Sequence, residues 1–358
     1  MFAKLMDDSL LTWTKEYKID AFRFDIMGHH PKAQMVEALA KVKAIAPEMY
    51  FYGEGWNFGE VSNDARFEQA RQAHLGGTGI GSFSDRLRDA VRGGSPFDSK
   101  YDEVITKNED GSTTTKPAGN YIRDNQGFGN GAYVLKNDSA YTTDEAGARH
   151  QADLTMLGMA GNLKDFVLTT KNGVPTKGED IDYNGQKAGY ANDPIEIQNY
   201  VSKHDNQTIF DIIAYKAAAE ASLDDRVRMQ GISLATVLLG QGTAFDQQGS
   251  ELLRSKSFER DSFDSGDWYN KVDYTKQDNN YDVGLPRKDK DGDNYPLILA
   301  VKDVVGKPGA SEIAQMDSFY KELASLRQSS PLFTLGTGAE VMKRVDFRNV
   351  GPDQTTGL

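Results

Sequence analysis

Apolar positions along this chain fall into short runs that alternate with helical spacings. In residues 1–20, Leu5, Leu10 and Trp13 are among the apolar positions of an amphipathic helix. Residues 19–25, IDAFRFD, are apolar and aromatic with Arg23 and Asp25 interrupting, which predicts a short buried strand whose polar residues emerge at its C-terminal end. GHHP is a turn, with Pro31 suited to the first turn of a helix. Met35, Val36, Leu39, Val42 and Ile45 then recur at helical spacing up to Pro47. MYFYG (49–53) reads as a second buried strand, followed at once by Glu54. This is the order and size of a βαβ unit.

The alternation repeats. Residues 69–75 close a helix, IGSF (80–83) is a strand, and 84–93 are a short helix with Ser84 as N-cap, Leu87 and Val91 on one face and Gly93 at its end. Residues 94–190 are rich in Gly, Asn, Asp, Ser and Thr and read as a long insertion, with 107–120 its clearest loop and a helical pattern at 154–161. IEIQNYVSK (195–203) is another strand, ending at His204-Asp205, and 226–239 is a strongly apolar helix. Strand plus loop follow at 242–251, a second loop-rich insertion at 252–310 and an amphipathic helix at 316–326. EVMKRVDF, past Thr334, alternates like the first strands of an all-β module. Strands alternating with helices imply a parallel sheet, and Asp25, Glu54, His204, Asp205 and Gln248 all follow strands. Both (β/α)₈ barrels and doubly wound sheets place chemistry on that face, and composition does not choose between them.

At 358 residues and 39.5 kDa the chain is one large domain or two to three ordinary ones. A net charge of −12 and pI ≈ 5.0 give it no general attraction to nucleic acid. Without cysteine, disulfides, thiol catalysis and Cys-type metal sites are excluded. No apolar run approaches the length that spans a bilayer. The first twenty residues lack the basic leader and apolar core of a signal peptide, and a start inside a helical pattern points to a piece of something longer.

Two carboxylates on neighbouring strand ends, here Asp25 and Glu54, are what glycoside hydrolysis needs, one as nucleophile or base and one as proton donor. Arg23 shares a strand face with Asp25, where a guanidinium would keep the carboxylate ionised. Trp56 offers an apolar ring to a sugar face and to Glu54. Asp205 would add negative charge beside an oxocarbenium-like state and His204 a hydrogen bond to a sugar hydroxyl. On spacing alone, a structural salt bridge for Arg23 and Asp25, a core position for Trp56 and a helix cap at Asp205 or Asn206 explain these residues at least as well. His29-His30 reads as turn packing before Pro31, not as metal ligation. DKDGDN (289–294) resembles the start of a calcium loop, but Ala300 stands where its bidentate Glu belongs, so a solvated turn fits better. GFGNGA (127–132) has no strand before it, against a dinucleotide fingerprint, and the Asn206-Gln207-Thr208 sequon abuts the proposed site and is incidental.

Together, FRFDIMGHHP, YFYGEGWN, YVSKHDNQT and FDQQGSELLRSK resemble the fourth, fifth, seventh and eighth strand segments of the α-amylase superfamily of glycoside hydrolases. With GTGIGSFSDRLRDAVRGG, GMAGNLKDF, IDYNGQ and SPLFTLG added, the chain is similar throughout to the bacterial type I pullulanases, debranching enzymes for α-1,6-glucosidic bonds. The resemblance implies Asp25 as nucleophile, Glu54 as general acid/base and Asp205 as the transition-state-stabilising carboxylate, with Arg23, His204 and Trp56 in substrate-binding positions. The carboxyls of Asp25 and Glu54 are then expected about 5–5.5 Å apart, as retention requires.

The implied fold is α/β: a partial (β/α)₈ TIM barrel holding strands four to eight, with long loop insertions, over residues 1–333, and the start of a C-terminal β-sandwich over 334–358. Barrel strands one to three, their Asn-His motif and N-terminal carbohydrate-binding modules are implied but not contained. A half-barrel with two unpaired edges is expected to be inactive or aggregation-prone alone and to need the missing N-terminal part of the same protein as partner. The implied substrate is an α-glucan, acted on outside a bacterial cell or at its surface. The chemistry requires no cofactor, no metal ligand is assigned, and a structural calcium is left open. An α-1,4-hydrolase, a glucanotransferase or a non-catalytic glycan-binding protein are the alternatives.

Overall fold

The computed structural model describes residues 2–94, 100–101, 104–107, 111–116 and 119–355. Five short strands form its central sheet: β1 (Ala21–Phe24), β2 (Tyr50–Gly53), β3 (Gly81–Phe83), β4 (Ile197–Asn199) and β5 (Thr243–Ala244). They lie side by side in chain order and every pairing is parallel, with Ala21 opposite Tyr50, Tyr52 opposite Gly81, Ser82 opposite Ile197 and Gln198 opposite Thr243. The reversal of strand order that marks a doubly wound sheet does not occur among the described residues. All the strands point their C-terminal ends the same way, so the segments after β1, β2 and β4 share one edge.

Nine helices of seven residues or more are described: α1 (Phe2–Tyr17), α2 (Lys32–Lys43), α3 (Asp85–Arg92), α4 (Glu145–Met159), α5 (Ile209–Lys216), α6 (Leu223–Leu238), α7 (Tyr295–Val305), α8 (Ala310–Gln328) and α9 (Gly338–Arg344). One core, including Leu10, Met35, Leu39, Val42 and Phe51, packs α1 and α2 on the first strands. A larger one, including Val91, Phe210, Leu234, Ile298 and Met316, joins α3 and α5 to α8. A third, including Leu157, Phe166, Ile197 and Val341, fastens the first insertion and α9 to the sheet.

Several expectations are modified. On α1, Leu10 is buried, but Leu5 and Trp13 stay exposed, so only part of the apolar face is covered among the described residues. On α3, Arg86, Arg88, Asp89 and Arg92 are buried along with Leu87 and Val91. The first insertion covers its outer face: Tyr183 and Tyr190 flank the Arg86 guanidinium at 4.6 and 5.0 Å, and Tyr183 donates to Asp89 at 2.6 Å. That insertion contains hairpins and α4, which starts well before residue 154 because Asp144 caps it by accepting from the Gly147 amide. The expected loop at 107–120 falls partly outside the described residues, and its described part includes the pairing of Val104–Lys107 with Thr113–Lys116.

EVMKRVDF does not start a strand. Thr337 accepts from the Glu340 amide, Glu340 pairs with Arg344 one turn on, and fully buried Val341 anchors the resulting helix α9. The alternation there was compatible with an i, i+4 spacing, and tertiary contact with the third core selects the helix.

GFGNGA forms a short 3₁₀ turn at Phe128–Asn130. A Cβ on Gly127 would lie 2.3 Å from the Gly93 nitrogen and one on Gly129 2.2 Å from the Ser233 hydroxyl, so these glycines permit close packing on α3 and α6.

Candidate active site

The site stands on the common C-terminal edge of β1, β2 and β4. Arg23 and Asp25 project together because they stand two positions apart at the end of β1. The chain then turns sharply. Ile26 adopts φ 41°, ψ 43°, a left-handed conformation rare for a β-branched residue, and its amide donates to Glu54 Oε2 at 3.2 Å. Gly28 donates to the Glu54 carbonyl at 3.0 Å, and a Cβ on it would meet the Trp56 carbonyl at 2.0 Å. Only glycine lets this turn close against the end of β2.

Glu54 is buried and is the hub of the site. Its Oε1 lies 3.1 Å from Arg23 Nη2, while Arg23 Nη1 donates to Asp25 Oδ1 at 2.7 Å, so one guanidinium reaches both carboxylates. The second cation was not singled out from the sequence. Lys203 Nζ donates to Glu54 Oε1 at 2.6 Å and to Asp205 Oδ2 at 2.9 Å. The signal was its place immediately before His204-Asp205, on a strand end that otherwise carries acids. Arg23, Asp25, Glu54, Lys203 and Asp205 are thus linked through ion pairs, and His204 Nε2 lies 3.5 Å from Asp205 Oδ1. Asp25 is at the open rim, its side chain 74% exposed. Trp56 is half-buried, its ring centroid 5.9 Å from Lys203 Nζ.

Burial disfavours the charge of Lys203, but electrostatic attraction to Tyr200, Asp205 and Glu54 outweighs it and holds its pKa above the ordinary lysine value. Burial also opposes ionisation of Asp205, yet Lys203, His204 and Lys256 together hold its pKa below the usual carboxylate value. His204 is pushed down, first by burial and then by Lys203 and Arg23, against the opposing pull of Asp205 and Glu54. Lys256 supports the loop from behind, donating to the His204 carbonyl at 2.8 Å; burial lowers its pKa to about 8. Asp205 and Asn206 do not cap α5. Thr208 does, accepting from the Asp211 amide, which leaves Asp205 free to face Glu54. Asn206 of the sequon is buried and left-handed (φ 67°), held by the Arg260 carbonyl.

Beside these groups opens a cavity of about 590 Å³. Glu54, Trp56, Lys203 and Asp205 form one wall, and Asp89 and Tyr183 belong to another contributed by α3 and the first insertion. The apolar ring and surrounding polar groups suit a polyhydroxylated ligand.

Glu54, His204 and Asp205 offer donor atoms within 4.8 Å of one another. The Lys203 ammonium already touches both of these carboxylates and supplies the counter-charge that a metal would. His29 packs edge-on to Phe58 and lies 3.5 Å from Glu60, and His30 lies edge-on to Phe24, in keeping with turn packing. In DKDGDN, Arg287 holds Asp289 and Arg260 holds Asp291, which is buried and not part of a solvated turn.

The model of a family described as alpha-1,6-glucosidases, pullulanase-type, C-terminal, matches residues 276–358. Over its full 358 residues the chain is 62% identical to a pullulanase of Klebsiella aerogenes, of which it covers 31%. It is 40% identical to the chloroplastic pullulanase 1 of Arabidopsis thaliana, again over 100% of the chain and 36% of the relative. Among solved structures, a Klebsiella pneumoniae pullulanase complexed with maltotriose superposes with a TM-score of 0.91 at 62% identity, covering 100% of this chain and 32% of that one. The chain spans about a third of the length of the curated relatives it matches, and along all of its own length it is similar to pullulanases.

Proposed function

We propose that this chain carries the bond-cleaving residues of a retaining debranching glycosidase for α-1,6-glucosidic bonds in pullulan, starch or glycogen-derived limit dextrins. One observation carries the reading: Arg23 and Lys203 link three carboxylates from three parallel strand ends beside a sugar-sized cavity. The description of the matching family model, alpha-1,6-glucosidases, supports the choice of bond.

In the proposed reaction Glu54 donates its proton to the glycosidic oxygen while the Asp25 carboxylate attacks the anomeric carbon. The C–O bond to the leaving chain breaks, and a covalent glycosyl–Asp25 intermediate forms. Glu54, now ionised, takes a proton from water, whose oxygen attacks the same carbon and releases Asp25. Asp205 and His204 face the sugar's developing positive charge and hydroxyls, and Trp56 stacks on a neighbouring ring. None of these steps requires a cofactor, and a structural calcium elsewhere would not alter them.

We read β1 to β5 as strands four to eight of a (β/α)₈ barrel spanning residues 1–333, with 334–358 opening a C-terminal domain. The parallel, sequential strand order supports this. Among the described residues β1 and β5 have no second neighbour, so the remainder of a full-length relative would close the sheet, and the chain by itself is expected not to turn over substrate. Action outside the cell or at its surface, where polymeric α-glucans are met, fits the substrate; no described helix is long and apolar enough to cross a membrane.

The test is pullulan hydrolysis by the intact protein. Maltotriose as the product, with losses of roughly 10²–10⁴-fold in both Asp25→Asn and Glu54→Gln, is expected. Products of α-1,4 cleavage, or unchanged turnover in both variants, would overturn the proposal.

A further inference from the structure

Lys203 has no role in the chemistry just described, yet it makes the shortest contact to Glu54 in the site. We propose that Lys203 is a positioning residue, an ammonium clamp that holds the proton donor Glu54 and the stabilising carboxylate Asp205 in register. This inference rests on the glycosidase reading above.

The geometry is that of a built clamp. Lysine offers three N–H donors, and two are spent here, at 2.6 Å on Glu54 Oε1 and at 2.9 Å on Asp205 Oδ2. The side chain is only 10% exposed and its head lies 5.5 Å from the Phe83 ring centroid and 5.9 Å from that of Trp56, so solvent cannot replace it easily. Glu54 comes from the end of β2 and Asp205 from the end of β4, with β3 between them in the sheet. No backbone ladder joins those two ends directly. Lys203 is therefore the link that converts two separately supported acids into a fixed pair.

The clamp also sets charge. Two cations, Arg23 and Lys203, contact the three carboxyl groups, and with Glu54 protonated as the proton donor they balance the charges of Asp25 and Asp205. The charged and titratable groups facing Lys203 and Asp205 are Arg23 from β1, Glu54 from β2, Tyr200 and His204 from the end of β4, and Lys256 from the segment after β5. Behind Tyr200, Arg88 of α3 donates to its hydroxyl at 2.8 Å. Lys203 is the largest of the groups that favour the ionised form of Asp205, against burial, which opposes it. Removing the ammonium while leaving the others raises the pH at which Asp205 becomes ionised.

The experiment compares wild type, Lys203→Met and Lys203→Arg in the intact protein, with folding checked by thermal melting and activity recorded on pullulan across pH. For Lys203→Met the clamp requires a kcat loss on the order of 10²-fold with KM little changed, as for a misplaced catalytic group, and an acidic limb of kcat/KM displaced to higher pH. Lys203→Arg keeps the charge and should return the acidic limb to near the wild-type position. A folded Lys203→Met with the wild-type limb and kcat overturns the clamp. So does failure of both variants to fold, which would assign Lys203 to stability alone. If instead wild type does not cleave pullulan, or Asp25→Asn cleaves it normally, the glycosidase reading itself has failed, and the clamp with it.

Discussion

Replacing Asp246 by asparagine isolates the electrostatic cost of one sealed carboxyl. Asp246 lies two residues past β5, and its Oδ1 is shut off from solvent without a hydrogen-bond partner. Burial, helped by the charge of Glu251, pushes its pKa up to about 7, although Ser250, the Gln247 backbone and Tyr320 favour the ionised form. The ordinary value is about 3.9, so the gap is about three units, or about 4 kcal/mol at 1.36 kcal/mol per unit. The folded protein holds this proton more tightly than the unfolded chain. Stability contributed by the group is therefore lost as pH rises from about 4 through about 7. Asparagine cannot ionise, so Asp246→Asn escapes that loss. Urea unfolding of the intact protein at pH 4 to 8 should show the variant gaining on wild type by about 4 kcal/mol across the range. A stability difference that stays flat over those pH values would refute the reasoning.

Three further outcomes are expected. Asp89 is buried against Arg88 Nε at 2.7 Å and accepts from Tyr183, so Asp89→Ala should cost about 3–5 kcal/mol by leaving a guanidinium uncompensated, read as a fall in the urea midpoint; a loss below about 1 kcal/mol would contradict this account of α3. Gly127→Ala places a methyl against backbone of α3 and its C-cap, which cannot yield as a flexible side chain can, so melting should report at least about 1–3 kcal/mol of destabilisation. Trp56→Ala should raise KM for pullulan oligosaccharides with a smaller effect on kcat, and an unchanged KM would remove the ring from the sugar-binding wall.

The strands that carry Asp25, Glu54 and His204-Asp205 were legible because each is a compact apolar run with its polar residues at one end. The order of those runs also anticipated a parallel sheet. What the pattern concealed is informative. In α3 the pattern marked only Leu87 and Val91 as a face, and the burial of its charged residues depends on Tyr183 and Tyr190, about a hundred residues away, which no local window contains. EVMKRVDF satisfies both a period of two and an i, i+4 spacing, and only the pocket that receives Val341 decides. Lys203 was hidden for a related reason: a lysine beside a His-Asp pair reads as a solvated charge until the fold brings Glu54 across from β2. The exposed Leu5 and Trp13 of α1 show the converse, an apolar stripe read correctly as helical that is only partly covered among the described residues.

The left-handed turn at Ile26 has a practical consequence for trapping bound sugars. Glu54 accepts on both of its oxygens, from the Ile26 amide on one and from Lys203 on the other. Glutamine has a single accepting oxygen, so a Glu54→Gln protein must point its amide N–H₂ at one of those donors, and either the bend or the lysine head has to shift. A knockout at that position changes architecture as well as reactivity. Among the described residues the Asp25 carboxylate is held by Arg23 alone, and it carries no such scaffolding duty. Crystals of Asp25→Asn are thus the better source of a faithful picture of an uncleaved branch point.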